Sequence, residues 1–163
     1  MDIAGLVARF LFYAQEHQDV LHDPAEKSQT AFALFDLENI NEIIKNGVKF
    51  PCILLQTPEI VKQGEHDSTI EQYEFAFMVL KPLPKRDLSL KPGIIQDCKN
   101  ISDEIYNRLL LDTDNGMFDG GLTNTAEGIV GPIGDQLYGW GVNLGFDQGY
   151  NAVVDPSKWG DLL

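Results

Sequence analysis

Apolar positions near the start of the chain recur at helical spacing. Ile3, Leu6, Val7, Phe10, Leu11 and Ala14 share one face of a helix predicted from Asp2 to about Gln18, with Asp2 placed to cap it. His17 to Gln29 is polar and holds Pro24, so a connection follows. Thr30 to Phe35 is short, apolar and aromatic, the profile of a strand. Leu37, Ile40, Ile43 and Ile44 then resume helical spacing until Asn46-Gly47, a natural stop because glycine tolerates the left-handed conformation found after helices. Val48 to Gln56 and Tyr73 to Leu80 are β-branched or aromatic on both faces and read as central strands. Between them Thr57 to Gln72, with Pro58 and Gly64, reads as a projecting hairpin loop. Lys81-Pro82-Leu83-Pro84 ends the second strand, since proline cannot donate to a ladder.

A long helix is predicted from near Pro92, with Ile94, Ile95, Cys98, Ile101, Ile105 and Leu109 in one stripe and a polar face opposite. Asp112 to Gln136 is rich in glycine and weak in periodicity, and reads as a long irregular loop. In Leu137 to Asp147, Tyr138, Trp140, Val142, Leu144 and Phe146 hold one parity while Gly139, Gly141 and Gly145 leave the other nearly bare. The aromatic face belongs to a core; the three glycines are a candidate packing surface for a helix or a neighbouring subunit. Asn151 to Val154 is read as a final short strand, broken by Asp155-Pro156. The order of elements implies a single α+β domain over residues 1–163. It is one twisted, mostly antiparallel sheet with the N-terminal and central amphipathic helices packed on a face, and long loops near 57–72 and 112–136.

Composition narrows the chemistry. With 163 residues, 44% of them hydrophobic and 23% charged, the chain can bury a core without help from disulfides or metals. Its formal net charge of −13 opposes polyanions, and the nearest approach to a basic cluster, Lys81, Lys85, Arg86 and Lys91, is interrupted by prolines and Asp87. Tight nucleic-acid binding is therefore not expected. Cys52 and Cys98 lie inside apolar patterns and read as small buried hydrophobes, which fits a reducing compartment or a single fortuitous pair and forms no metal knuckle or redox motif. Met1 to Tyr13 carries Asp2 and Arg9 at amphipathic spacing, so neither an export signal nor a membrane span is expected there.

No catalytic constellation emerges. Of His17, His22 and His66, the first two stand five apart, off the spacing that places two ligands on one helical face. No Gly-x-Ser-x-Gly elbow occurs. Asp112-Thr113-Asp114-Asn115-Gly116 with Asp119 approaches a calcium loop, but Gly116 falls at position five and Thr123 at twelve, where six and a glutamate are needed. Gly139-x-Gly141-x-x-x-Gly145 has the wrong spacing for a dinucleotide fingerprint and lies in a strand pattern. Glu71 with Glu74 and Asp103 with Glu104 read as solvated in so acidic a chain. The expectation is a non-enzyme with no catalytic residue, no cofactor and no metal site.

The helix Ile3 to Ala14, the strands Phe50-Pro51-Cys52-Ile53-Leu54-Leu55 and Tyr73-Glu74-Phe75-Ala76-Phe77-Met78-Val79, the helix through Ile101-Ser102-Asp103-Glu104-Ile105 and the closing Leu137-Tyr138-Gly139-Trp140-Gly141-Val142 follow one another in a telling order. Over most of the chain that order resembles the small minor structural proteins of tailed bacteriophages and prophages, above all tail terminator and tail-completion proteins. The resemblance implies a homo-oligomeric ring that caps the tail tube and joins it to the head. Tail-tube and head-completion proteins would be its partners, in the virion and, during assembly, in the host cytoplasm. A negative channel wall would also let DNA slide without holding its phosphates. Asp112 to Gln136 departs from the most compact members. Two other classes stand beside this one: a cytoplasmic enzyme with a divalent metal on Asp112, Asp114 and Asp119 under a glycine-rich lid, and an acidic accessory domain that mimics nucleic acid.

Overall fold

The first helix, α1, runs Ile3–Glu16 in the computed structural model, and the Asp2 carboxylate caps it by accepting a hydrogen bond from Gly5 N at 2.7 Å. The structure describes residues 2–36, 38–64, 69–118, 120–134 and 136–149. The expected strand at Asn151 to Val154, His66 and Asp119 lie outside the described residues. The remaining elements are β1 (Phe32–Phe35), α2 (Ile40–Lys45), β2 (Cys52–Gln56), β3 (Glu59–Gln63), β4 (Ile70–Pro82), α3 (Lys91–Asp114), β5 (Gly121–Ile133) and β6 (Leu137–Gly149). Gly47 and Gly116, with φ of +86° and +73°, follow α2 and α3, where the left-handed region favours glycine.

The strands form one mixed, mostly antiparallel sheet in the order β1-β2-β4-β6-β5, with β3 also paired to β4. Among the described strands only β1 and β2 run parallel. The fold is α+β, as the order of elements implies. One face packs against α1 and α3: Phe10, Tyr13, Cys98, Ile101, Ile105 and Leu109 meet Phe75, Phe77, Val79, Val142, Leu144 and Phe146. On the other face a smaller cluster of Phe35, Cys52, Leu54, Leu80 and Leu137 is covered by Ile40, Ile43 and Ile44 of α2. Among the described residues no helix is long and apolar enough to cross a membrane.

Two expected loops are instead strands. Half of Thr57 to Gln72 is β3 and the start of β4, paired from Glu59↔Glu74 to Gln63↔Ile70. Pro58 misleads because it sits at a bulge. Between Leu55↔Phe77 and Glu59↔Glu74, residues 56–58 face only residues 75–76, and a bulge is where a sheet accepts proline. Asp112 to Gln136 likewise holds the end of α3 and the whole of β5, a 13-residue edge strand. Its alternation is broken by register shifts between Asn124 and Ala126 and between Val130 and Ile133. Leu122 lies opposite Phe146 on the helix-covered face, whereas beyond the first bulge the odd-numbered Glu127 and Ile129 hold that face, opposite Val142 and Trp140.

Candidate assembly surface

The stripe on β6 divides at Trp140. Tyr138, Val142, Leu144 and Phe146 are buried, but Trp140 is only partly so. Its indole Nε1 donates to Glu127 Oε2 at 3.1 Å, and Lys99 of α3 lies over the ring at 5.5 Å. The expectation that all five side chains are core is corrected at this position: the neighbouring strand is β5, whose own face at Glu127 and Ile129 is left exposed.

The bare side of β6 is filled closely, and from within the sheet. A Cβ on Gly139 would stand 1.8 Å from the Val79 carbonyl oxygen of β4. On Gly141 it would meet Val130 Cγ2 at 2.7 Å, and on Gly145 Thr123 Oγ1 at 2.6 Å, both from β5. These glycines therefore let flanking strands lean across β6. The groups brought close are strand atoms, where a helix was one of the two expected neighbours. Beside them, Ala76, Met78, Ala126, Gly128, Gly141 and Asn143 line an open depression of about 280 Å³ on the same face.

Among the described residues the sheet's path ends at β1 and β5, and β3, off that path, is a further edge strand on the β1 side. Among the described residues nothing pairs with the outer edge of β5, and β3 pairs only with β4. All of β3 is exposed, Ile60 at 42% and Val61 at 40%, and Ile129 on β5 is 62% exposed. Edge strands offer unpaired N–H and C=O groups as a template for another strand. Sequence reasoning found β1 but missed β3 and β5. The signal that could have found β3 is the run Glu59-Ile60-Val61-Lys62, strand-like but isolated by Pro58.

The proposed metal ligands do not converge among the described residues. Asp112 is buried in the last turn of α3, where its carboxylate accepts from Arg9 Nε at 2.6 Å, Tyr13 OH at 2.6 Å and Arg108 Nε at 3.1 Å. Burial opposes its charge, but the hydrogen bonds from Tyr13, Arg9 and Arg108 outweigh that and hold its pKa below the usual value. The Tyr13 hydroxyl is pushed well up by burial and by its bond to Asp112. Both guanidinium groups also stack on Phe12, at 4.8 and 5.6 Å, so the cluster ties α1 to α3. Asp114 is exposed. No group of three or more His, Cys, Asp or Glu side chains among the described residues is arranged to hold a metal ion.

The remaining candidates are dispersed. His17 Nε2 lies 3.1 Å from Glu104, while His22 is buried and its Nδ1 accepts from Ala31 N at 2.9 Å. Lys81 pairs with Asp97 at 2.7 Å and Lys91 lies over Tyr138 at 4.4 Å, so these two serve local contacts. Cys52 and Cys98 are free and buried, and burial raises each thiol to about 12. No protein-family model matches the chain, and no curated protein matches it.

Proposed function

We propose that the chain is a non-enzymatic structural component of a tailed-bacteriophage or prophage virion, a ring-forming protein of the tail terminator or head-to-tail joining kind. The observation that carries this reading is the pair of open sheet edges, β3 on one side and β5 on the other. When the two contact surfaces of a subunit are different, the same contact repeats from copy to copy, and a suitable rotation closes the series into a ring. The order of elements and the charge of −13, which suits a wall that DNA passes without sticking, add support. Tail-tube and head-completion proteins are the partners that such a ring would join.

Light scattering after size exclusion, over about a hundredfold range of concentration, tests the reading, with negative-stain microscopy of the largest species. A discrete oligomer with a central opening is expected. A monomer throughout overturns the proposal. The same preparation should not retain duplex DNA at physiological salt in a gel-shift titration.

A further inference from the structure

Resting on that ring reading, we propose how the copies join. The outer edge of β5 in one copy pairs antiparallel with the outer edge of β3 in the next, in the register that sets Glu127 opposite Lys62 and Ile129 opposite Ile60. Length is the first support. The unbulged part of β5, Ala126 to Val130, and the whole of β3, Glu59 to Gln63, are both five residues long. Direction is the second: β5 runs antiparallel to β6, β6 to β4 and β4 to β3, so β3 of a copy placed beside β5 by a simple rotation arrives antiparallel.

Side-chain parity and chemistry then select the register. Glu127 and Ile129 lie on the helix-covered face, opposite Val142 and Trp140; Ile60 and Lys62 lie on that face too, opposite Tyr73 and Glu71. Directly opposed residues of an antiparallel pair share a face, so only registers that match these four positions keep the sheet continuous. Among them, one joins charge to opposite charge and isoleucine to isoleucine while using every residue of both segments. It also lays Val61 beside Gly128, where an added Cβ meets nothing within 4 Å. Shifting by two residues either way puts Ile60 opposite Glu127, or Lys62 opposite Ile129.

Pairing like with like fails by the same criterion. A two-fold pairing of β5 with β5 about Gly128 opposes Glu127 to Ile129, and one of β3 with β3 about Val61 opposes Ile60 to Lys62. Each mismatches apolar and charged groups twice. Lys62 lies 3.6 Å from Glu71 and is 51% exposed, so the neighbour's Glu127 would add a further carboxylate to a cation at the edge. The pairing is also staggered: Val61 stands opposite Gln72, while Gly128 is level, across Gly141, with Met78, six residues further along β4. Each step thus displaces the strands by roughly 20 Å along their length, and closure takes strands tilted to the ring axis, as shear does in barrels.

Variants with one added surface cysteine, the native Cys52 and Cys98 being buried, test the register on the full chain. Ile60→Cys and Ile129→Cys, mixed and oxidised, should give a covalent dimer that neither gives alone. Dimers from either variant alone mean two-fold pairing and overturn the proposal. Charge reversal gives the second arm. Glu127→Lys and Lys62→Glu should each weaken assembly about tenfold, and the double variant Lys62→Glu/Glu127→Lys should recover it. The double variant carries both losses of internal contact, to Trp140 and to Glu71, so recovery cannot come from a stabilised monomer; thermal melts confirm that each variant folds. Rings that neither cross-link nor respond to charge reversal overturn the strand pairing and leave the ring reading standing. A wild-type chain that stays monomeric overturns both.

Discussion

Strands β5 and β6 are neighbours of equal length, 13 residues each, yet only one is plain in the sequence. β6 is paired on both sides and covered on one face by α1 and α3, so each second residue from Tyr138 to Phe146 is large and all but Trp140 are buried. Among the described residues β5 is paired on one side only, and its residues Glu127 and Ile129 are exposed. Alternation is imposed by burial on one face; where burial is partial, the pattern relaxes and turn-like residues are accepted. In the proposed ring the same division would separate stability from assembly: the inner strands hold the fold, and the edges, open among the described residues, would serve the contacts.

The largest expected effect belongs to the inner region. Phe146 is fully buried, its ring 5.2 Å from that of Phe118, and Phe146→Ala should cost about 3–5 kcal/mol in denaturant unfolding of the domain. A loss below about 1 kcal/mol would mean that β6 does not anchor the core and would dissolve the contrast with β5.

Next comes the polar tie between the two helices that cover β6. Asp112→Ala removes the carboxylate that Arg9, Arg108 and Tyr13 share. Because Arg108 reaches solvent, the expected loss is about 2–4 kcal/mol, at or below the range for breaking a fully buried pair. The pH dependence has a definite sign. A carboxyl whose folded pKa lies below 3.8 stabilises the fold above that pH, and the contribution is lost as pH falls through the folded value. In Asp112→Ala, acid unfolding should therefore begin from a lower plateau and lose part of its slope below pH 3.8. An unchanged acid limb would remove this carboxylate from the account.

How far the sequence was legible follows the same division. The spacing Leu6, Phe10, Ala14 and the stripe Ile94, Cys98, Ile101, Ile105, Leu109 identify α1 and α3, and both bury those positions. β3 and β5 were hidden by local devices: Pro58 at a bulge, and a parity switch between Leu122 and Glu127. Trp140 looked equivalent to Val142 because alternation reports a face and not how far cover extends across it. Asp112 drew attention as one of a series of acidic residues, while Arg9, its partner 103 positions away, could not be paired with it from sequence alone.

Glycines give a sharper comparison at a middle scale. Gly139→Ala drives a Cβ against the Val79 carbonyl, 1.8 Å away in backbone that cannot yield without moving β4. Gly128→Ala meets nothing within 4 Å. The first should lower stability by about 2 kcal/mol or more and the second should change it by no more than about 0.5 kcal/mol. Equal effects would contradict the close approach of β4 to β6.

His22 supplies a smaller, pH-dependent effect away from both strands. Burial disfavours its charged form and lowers its pKa, and Nδ1 must stay unprotonated to accept from Ala31 N. The folded pKa lies below the unfolded 6.5, so this contribution is complete above pH 6.5 and declines as pH falls from there toward the folded value. His22→Gln should flatten the stability profile in that window. A profile as steep as that of the wild type would assign the slope to other groups.

The smallest expected effect tests the edge itself. Ile129 is 62% exposed, so Ile129→Thr, which keeps a β-branched side chain, should change monomer stability by less than about 0.5 kcal/mol. Measured by urea unfolding at concentrations too low for association, that near-silence is the counterpart of the Phe146 result. If the edge serves assembly, the same substitution must weaken oligomers, because it replaces the apolar partner of Ile60 at a contact absent from the monomer. A variant that loses stability and assembly in proportion would place Ile129 in the fold's own core. One that loses neither would leave β5 an ordinary exposed edge, and the contrast between the two strands would then concern legibility alone.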